Sequence, residues 1–330
     1  MTTLVFRCDA NAEVGLGHLA RCRDLARLLR LQWPKLRIVF AGDLSEYGHD
    51  TLQPHAFEVV GLARDELLVP ERLGLELGAD ARLLVDSYRL DQAALDMLAG
   101  WAAPWGVFDD FAHLDYAGAG LVINTRVAAN ASSYRAAQLA VGPEFFPATP
   151  ELEQARAGRP KQAPSAPKTV VVFIGGHDQY GVGPQLAEVA AQRFASASVL
   201  CLQREPFTSA EPRVAHAPLG PDLASQLAAA DLVLAGGGRL KYEAAYCLVP
   251  CASLSQTGGQ AEDTAQLAER GLCADLGACA SFDGARVAEQ LGELWQPARL
   301  EAMRAAQAEA FPTDSGARLA RVVSSALQLA

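Results

Sequence analysis

Short apolar runs alternate along this chain with longer stretches whose apolar residues recur at helical spacing. Leu4–Arg7 reads as a strand. Gly17–Leu31 reads as a helix, with Leu19, Cys22, Leu25, Ala26, Leu28 and Leu29 falling near a 3.6-residue period. Arg37–Ala41, Leu83–Val85, Gly106–Phe108 and Leu121–Ile123 read as further strands, and acids follow the middle two directly. The stretch 151–168 is rich in Ala, Pro, Lys and Arg and carries no strand signal. It reads as a short helix and a linker. The strand rhythm then restarts at Thr169–Ile174 and continues at Ser198–Leu202, Val214–Ala217 and Leu232–Leu234. Helices are predicted over Gly183–Phe194, Asp222–Ala229, Arg239–Cys247, Gln260–Arg270, Asp283–Leu294 and Thr313–Leu329.

The pattern predicts an α/β protein of two Rossmann-like, doubly wound domains facing each other across a cleft. The expected boundaries are 1–155, a linker at 156–168, and 169–330, with the last helix free to return to the first domain. A chain of 330 residues suits two cores, because single cores stop growing near roughly 250–300 residues. Half the residues are apolar and 20% are charged, which is ordinary for a globular chain.

Net charge of −10 speaks against nonspecific nucleic-acid binding, which needs basic stripes. The seven cysteines form no CxxC and no zinc spacing, so reduced thiols in a cytoplasmic protein and no metal site are expected. The sequence MTTLVFRCDA does not read as a signal peptide, and no apolar run approaches the ~20 residues of a membrane helix. A monomer or weak oligomer without a cofactor is the expectation.

Three glycine turns carry the candidate chemistry. Gly15-Leu16-Gly17-His18-Leu19-Ala20 fits the loose GxGxx(G/A) dinucleotide pattern, but CDANAEV, seven residues, separates it from the strand at Arg7. The dinucleotide turn follows its strand directly, so that reading is set aside. A longer loop tipped by glycines lets a backbone approach a ligand. His18 at the first turn of a helix, kept neutral by the helix dipole, is then a candidate general base. The competing role for His18 is capping or packing. Gly175-Gly176-His177-Asp178 ends a buried strand and offers N–H groups to an anion, or is a plain turn. Gly236-Gly237-Gly238 ends the strand DLVLA and opens a helix, a geometry that cradles diphosphate, with Arg239 or Lys241 as helpers. Glu243, one turn inside, can accept from ribose hydroxyls or merely answer the helix dipole. Asp86-Ser87-Tyr88 and Phe108-Asp109-Asp110 follow strands and set polar groups at the strand ends, or cap helices. Lys161 and Lys168 read as solvated linker residues.

RCDANAEVGLGHLARC, VDSYRLD, FDDFAH, LVINTR, FIGGHD and GGGRLKYEAAYCLVP together resemble the UDP-2,4-diacetamido-2,4,6-trideoxy-β-L-altropyranose hydrolases of pseudaminic acid biosynthesis and their spore-coat polysaccharide relatives. The resemblance covers about residues 4–275. The glycine-turn-to-glutamate pattern is shared with many GT-B glycosyltransferases. The resemblance implies a metal-independent GT-B fold, with the sugar on the first domain and UDP on the second. It implies His18 as the catalytic histidine, Gly15 and Gly17 as its motif glycines, and Tyr88 as a sugar-side tyrosine. Arg21, Asp86, Asp109 and Asn124 fall in the sugar-side motifs. Gly175, Gly176, Gly236, Gly237, Gly238, Glu243 and Gln260 fall on the nucleotide side. This chain carries Gly-Arg-Leu-Lys-Tyr-Glu where those hydrolases often have Ser-Ser-Leu-Val-Asn-Glu.

The expected activity is hydrolysis of a UDP-sugar at the anomeric C–O bond with inversion. A glycosyltransferase using a UDP-sugar donor and a non-catalytic nucleotide-sugar binder are the alternatives.

Overall fold

The structure, a computed structural model, describes residues 2–11, 13–63, 78, 80–160, 162, 164–218, 220 and 223–329. Lys161 and the expected helix start at Asp222 lie outside the described residues. The chain forms two compact units, Met1–Thr149 with Thr313–Ala330, and Pro150–Pro312.

The first unit runs β1 (Thr3–Cys8), α1 (Gly17–Gln32), β2 (Arg37–Gly42), α2 (Glu46–Leu52), β3 (Glu58–Gly61), β4 (Arg82–Asp86), α3 (Gln92–Ala99), β5 (Trp105–Phe108), β6 (Leu121–Asn124) and β7 (Gln138–Val141). Among the described residues its seven strands pair in parallel in the order β3-β2-β1-β4-β5-β6-β7. The sheet winds outward in both directions from β1 and β4, so their carboxyl ends flank the switch point where ligands bind in such sheets. β1 and β4 are almost wholly buried, as strands covered on both faces must be.

The second unit runs α4 (Pro150–Ala157), β8 (Thr169–Phe173), α5 (Val182–Arg193), β9 (Ser198–Leu202), β10 (Val214–Ala217), α6 (Leu223–Ala229), β11 (Leu232–Gly236), α7 (Leu240–Tyr246), β12 (Cys251–Ser255), α8 (Gly258–Glu269), β13 (Ala274–Ala278), α9 (Gly284–Leu294) and α10 (Pro297–Ala310). Its six strands are parallel in the order β10-β9-β8-β11-β12-β13, and the switch point falls between β8 and β11.

The sequence pattern puts the first boundary near residue 155 and leaves the last helix free to return to the first domain. The units divide between Thr149 and Pro150 rather than near residue 155. The reason is α4, which buries Leu152 and Ala155 within the second unit while its Arg156 donates to the Tyr246 carbonyl at 2.7 Å. The last helix, α11 (Ser315–Leu327), belongs to the first unit, where Leu319, Ala320, Val323 and Leu327 share a core with Leu25 and Leu29 of α1. Each such leucine contributes about 1.5–3 kcal/mol on burial.

Candidate active site

His18 is the second residue of α1, and the next turn of the helix sets Arg21 and Cys22 on the same face. All three meet Asp86, the last residue of β4, which pairs in register with Cys8 at the end of β1. The His18 Nδ1–H donates to Asp86 Oδ1. Arg21 grips both carboxylate oxygens, Nε to Oδ2 and Nη2 to Oδ1, each at 2.6 Å, and the Cys22 thiol donates to Oδ2 at 3.5 Å. The Asp86 side chain is fully buried. Burial alone would raise its carboxyl, but the Arg21 charge and the hydrogen bonds from Arg21 and His18 overcome that and hold it well below the usual carboxylate range.

An ionised Asp86 fixes the imidazole tautomer: Nδ1 carries the proton and Nε2 the lone pair. Nε2 bonds to no protein atom among the described residues. His18 as a whole is 6% exposed. The result is a histidine oriented by a buried carboxylate with one nitrogen open, the arrangement of a general base and its orienting acid. Where the sequence suggested a helix dipole acting on His18, the structure adds a carboxylate at 68 residues' separation.

Arg21 also reaches both oxygens of Asp110 through Nη1 at 3.0 Å, and the Tyr88 hydroxyl donates to Asp110 Oδ2 at 2.7 Å. The Tyr88 and His18 rings meet at 4.4 Å between centroids. Tyr88 therefore stands against the imidazole.

Asp109 and Asn124 lie deeper. Asp109 accepts from the hydroxyls of Tyr116 and Tyr134 at 2.6 Å each and from the backbone of Phe111 and Ala112. Asn124 donates to the Tyr134 hydroxyl at 2.7 Å and accepts from Arg126 N. Four protein donors occupy Asp109, and the neighbouring Asp110 lies nearer the surface.

Before α1, Gly15 takes φ +71, a left-handed conformation that favours glycine, while a Cβ at Gly17 would meet open space. Asn11 shapes this loop by accepting from Glu13 N and Val14 N and donating to Asp43. Sequence reasoning overlooked the buried Arg7, which donates to Asp9 at 2.6 Å, and Arg89, which reaches the other oxygen of Asp9 at 2.7 Å. An arginine ending an apolar strand beside a near-adjacent acid was the available signal.

In the second unit, the glycines have separate jobs. A Cβ on Gly236 would stand 1.7 Å from the Ile174 carbonyl oxygen, and one on Gly237 would strike Gln260 at 2.4 Å. Gly236 lets β11 pass the end of β8, and Gly237 seats Gln260 of α8. Gly238 is exposed, with open space where a side chain would go. Gly175, at φ +149, and the exposed Gly176 turn the chain after β8. Gln256 joins these turns, donating to the His177 carbonyl at 3.0 Å and accepting from Gln179 N at 2.9 Å, while its own N–H goes to Gln260 Oε1 at 2.9 Å. No sequence signal marked Gln256.

Lys241 corrects an expectation. Its ammonium is fully buried and donates to the Gly237 carbonyl at 2.7 Å and Thr264 Oγ1 at 3.0 Å, and it pairs with Asp263 at 2.8 Å. With three protein partners it anchors the glycine turn from behind and is not available to a diphosphate. Arg239, the other proposed helper, lies 3.0 Å from the Glu243 carboxylate. Among the described residues, no group of three or more His, Cys, Asp or Glu is placed to hold a metal ion, and no helix is long and apolar enough to cross a membrane.

No family model matches the chain, and no curated protein does. Solved structures do. The chain is similar to the MurG of Acinetobacter baumannii (TM-score 0.65, 11% identity, 98% of this chain and 100% of that one). It is similar to CalG4, the calicheamicin glycosyltransferase (TM-score 0.64, 16% identity, 99% and 98%). It is also similar to S. aureus MnaA solved with UDP (TM-score 0.63, 12% identity, 100% and 98%). At these identities the likeness is one of fold. Two parallel-sheet α/β domains in this order give the chain the fold of the GT-B glycosyltransferases.

Proposed function

We propose that this protein hydrolyses the anomeric C–O bond of a UDP-linked amino or deoxy sugar, releasing UDP and the free sugar with inversion. The observation that carries this reading is the His18–Asp86 pair with Nε2 left open. Nε2 takes a proton from water, and the oxygen attacks the anomeric carbon. The bond to the diphosphate breaks, and its electron pair leaves with UDP. The imidazolium, steadied by ionised Asp86, then returns its proton to solvent. The open glycine turn at Gly238, with Glu243 in the helix that follows and Gln260 packed against Gly237, is assigned to the nucleotide, and Gly175 and Gly176 to its diphosphate. Tyr88 and Arg21 are assigned to the sugar end. The motif resemblance supports a role in pseudaminic-type acid or surface polysaccharide synthesis, in the cytoplasm.

A second reading is a glycosyltransferase, in which His18 deprotonates an acceptor hydroxyl instead of water. The glycosyltransferase neighbours favour it at the level of fold. One experiment separates the two. The protein is incubated with a panel of UDP-sugars and no acceptor, and UDP and the first-formed anomer are followed by NMR. Hydrolysis predicts free sugar, inverted, in step with UDP. Turnover only after an acceptor is added assigns the transferase, and UDP binding without turnover under either condition removes both.

A further inference from the structure

Among the described residues five large hydrophobic side chains stand exposed, and two of them, Tyr88 and Phe111, touch each other. Their centroids are 5.1 Å apart, with the rings tilted by 58°. Tyr88 in turn abuts His18, and Phe111 abuts the exposed His113 at 5.9 Å. A row of rings therefore runs from the open imidazole to the surface.

Slack does not explain this exposure. The loop bearing Phe111 is held from inside, because Asp109 accepts from Phe111 N at 3.0 Å and Ala112 N at 2.6 Å while two tyrosine hydroxyls fix Asp109 itself. Ala112 sits at φ +54, a left-handed conformation that an L residue adopts only against steric resistance. Backbone strain of this kind persists where the surrounding structure over-determines it, and it clusters at functional sites. The Arg126 guanidinium lies 5.9 Å from the Phe111 centroid and donates to the Asp110 carbonyl at 3.0 Å, closing one side of the row. A buried acid, two tyrosines and a strained alanine together hold a phenyl ring out in water beside the candidate base.

We propose that Phe111, with Tyr88, is the platform on which the C–H face of the substrate's sugar ring stacks. This rests on the nucleotide-sugar reading and adds a sugar-binding residue to it. A pyranose has one apolar face and a polar edge. The row offers two rings with a polar border of Asp110, Arg126 and His113. A wholly apolar acceptor would leave that border unanswered. The axial C–H groups lie on the phenyl faces while the hydroxyls at the ring edge keep polar partners.

The test uses the full chain with UDP, UDP-glucose, UDP-N-acetylglucosamine and a UDP-linked 6-deoxy-2,4-diacetamido hexose. Saturation-transfer NMR reads contact of sugar C–H and methyl protons with protein rings, and calorimetry reads affinity. Wild type should saturate the sugar protons of the UDP-sugar it binds. Phe111→Ala should lose that saturation and weaken the UDP-sugar by about tenfold, the scale of one lost apolar contact, with UDP affinity unchanged. Phe111→Trp should keep both. A Phe111→Ala protein that melts like wild type and still saturates and binds the UDP-sugar as wild type does overturns the proposal. So does a wild type that binds UDP but gives no sugar signal. Stacking without UDP release from any sugar would sink the cleavage reading and leave the platform standing. UDP release indifferent to Phe111 would do the reverse.

Discussion

The two units use one topology for different ends. At the switch point of the first, charged side chains meet: Asp86 is held by Arg21, His18 and Cys22, Arg21 passes on to Asp110, and a single nitrogen is left open. At the switch point of the second, side chains retreat. Glycines form the turns, and the strongest charges, Lys241 and Asp263, lie behind them holding a carbonyl. The first arrangement can move a proton, while the second gives backbone a fixed shape. The difference teaches that a buried ion pair at a strand end can serve reactivity or geometry.

Breaking this division should have graded effects. His18→Ala removes the open nitrogen, and turnover of a UDP-sugar should fall by about 10²–10⁴-fold in a steady-state assay while UDP affinity stays unchanged. Unaltered turnover would end the general-base assignment. Lys241→Met leaves Asp263 charged and buried against the Tyr242 hydroxyl, so urea unfolding should register a loss of about 3–5 kcal/mol. A loss confined to UDP affinity, with stability intact, would mean that Lys241 reaches ligand after all. Gly236→Ala drives a methyl into the Ile174 carbonyl, and a cost of about 1–3 kcal/mol is expected in the same assay, together with weaker UDP binding.

Asp86 sharpens the comparison through pH. Its folded carboxyl titrates below its unfolded value of about 3.9, so its ionised form stabilises the protein at neutral pH. That contribution is lost as pH falls through the unfolded value toward the folded one. The urea midpoint of wild type should therefore drop more steeply below about pH 5 than that of Asp86→Asn. Parallel acid limbs would show that Asp86 is not held ionised by folding. The smallest effect belongs to Gly238→Ala. Open space receives the methyl, and stability should stay within about 0.5 kcal/mol while UDP affinity falls if ligand approaches that backbone.

Much of the fold was legible in the chain. Strands such as Thr169–Phe173 are continuous apolar runs, and α1 shows its stripe at helical spacing. Missed elements lack such signals. Strand β12 reads CASLS, with two serines bonded to Thr264, and β3 is a half-exposed edge. At the candidate site, His18 and the glycine turns stood out locally. The bond from His18 to Asp86 did not, because it depends on β4 lying beside β1, a pairing no local window contains. Lys241 was misread for a similar reason. Its place next to glycines suggested an anion, but its helix position turns it inward, where Asp263 of α8 waits.

Helix α11 carries a consequence for biosynthesis. Residues from Ser315 onward complete a core begun by α1, so the unit that emerges first from the ribosome cannot close until nearly three hundred further residues have followed α1. The later unit, continuous from Pro150 to Pro312, has all its own strands and helices in hand sooner. The later unit can therefore complete its core before the earlier one, against the usual order of earliest segment first. Nascent chains stalled before Ser315 should expose the unpaired face of α1 to chaperones.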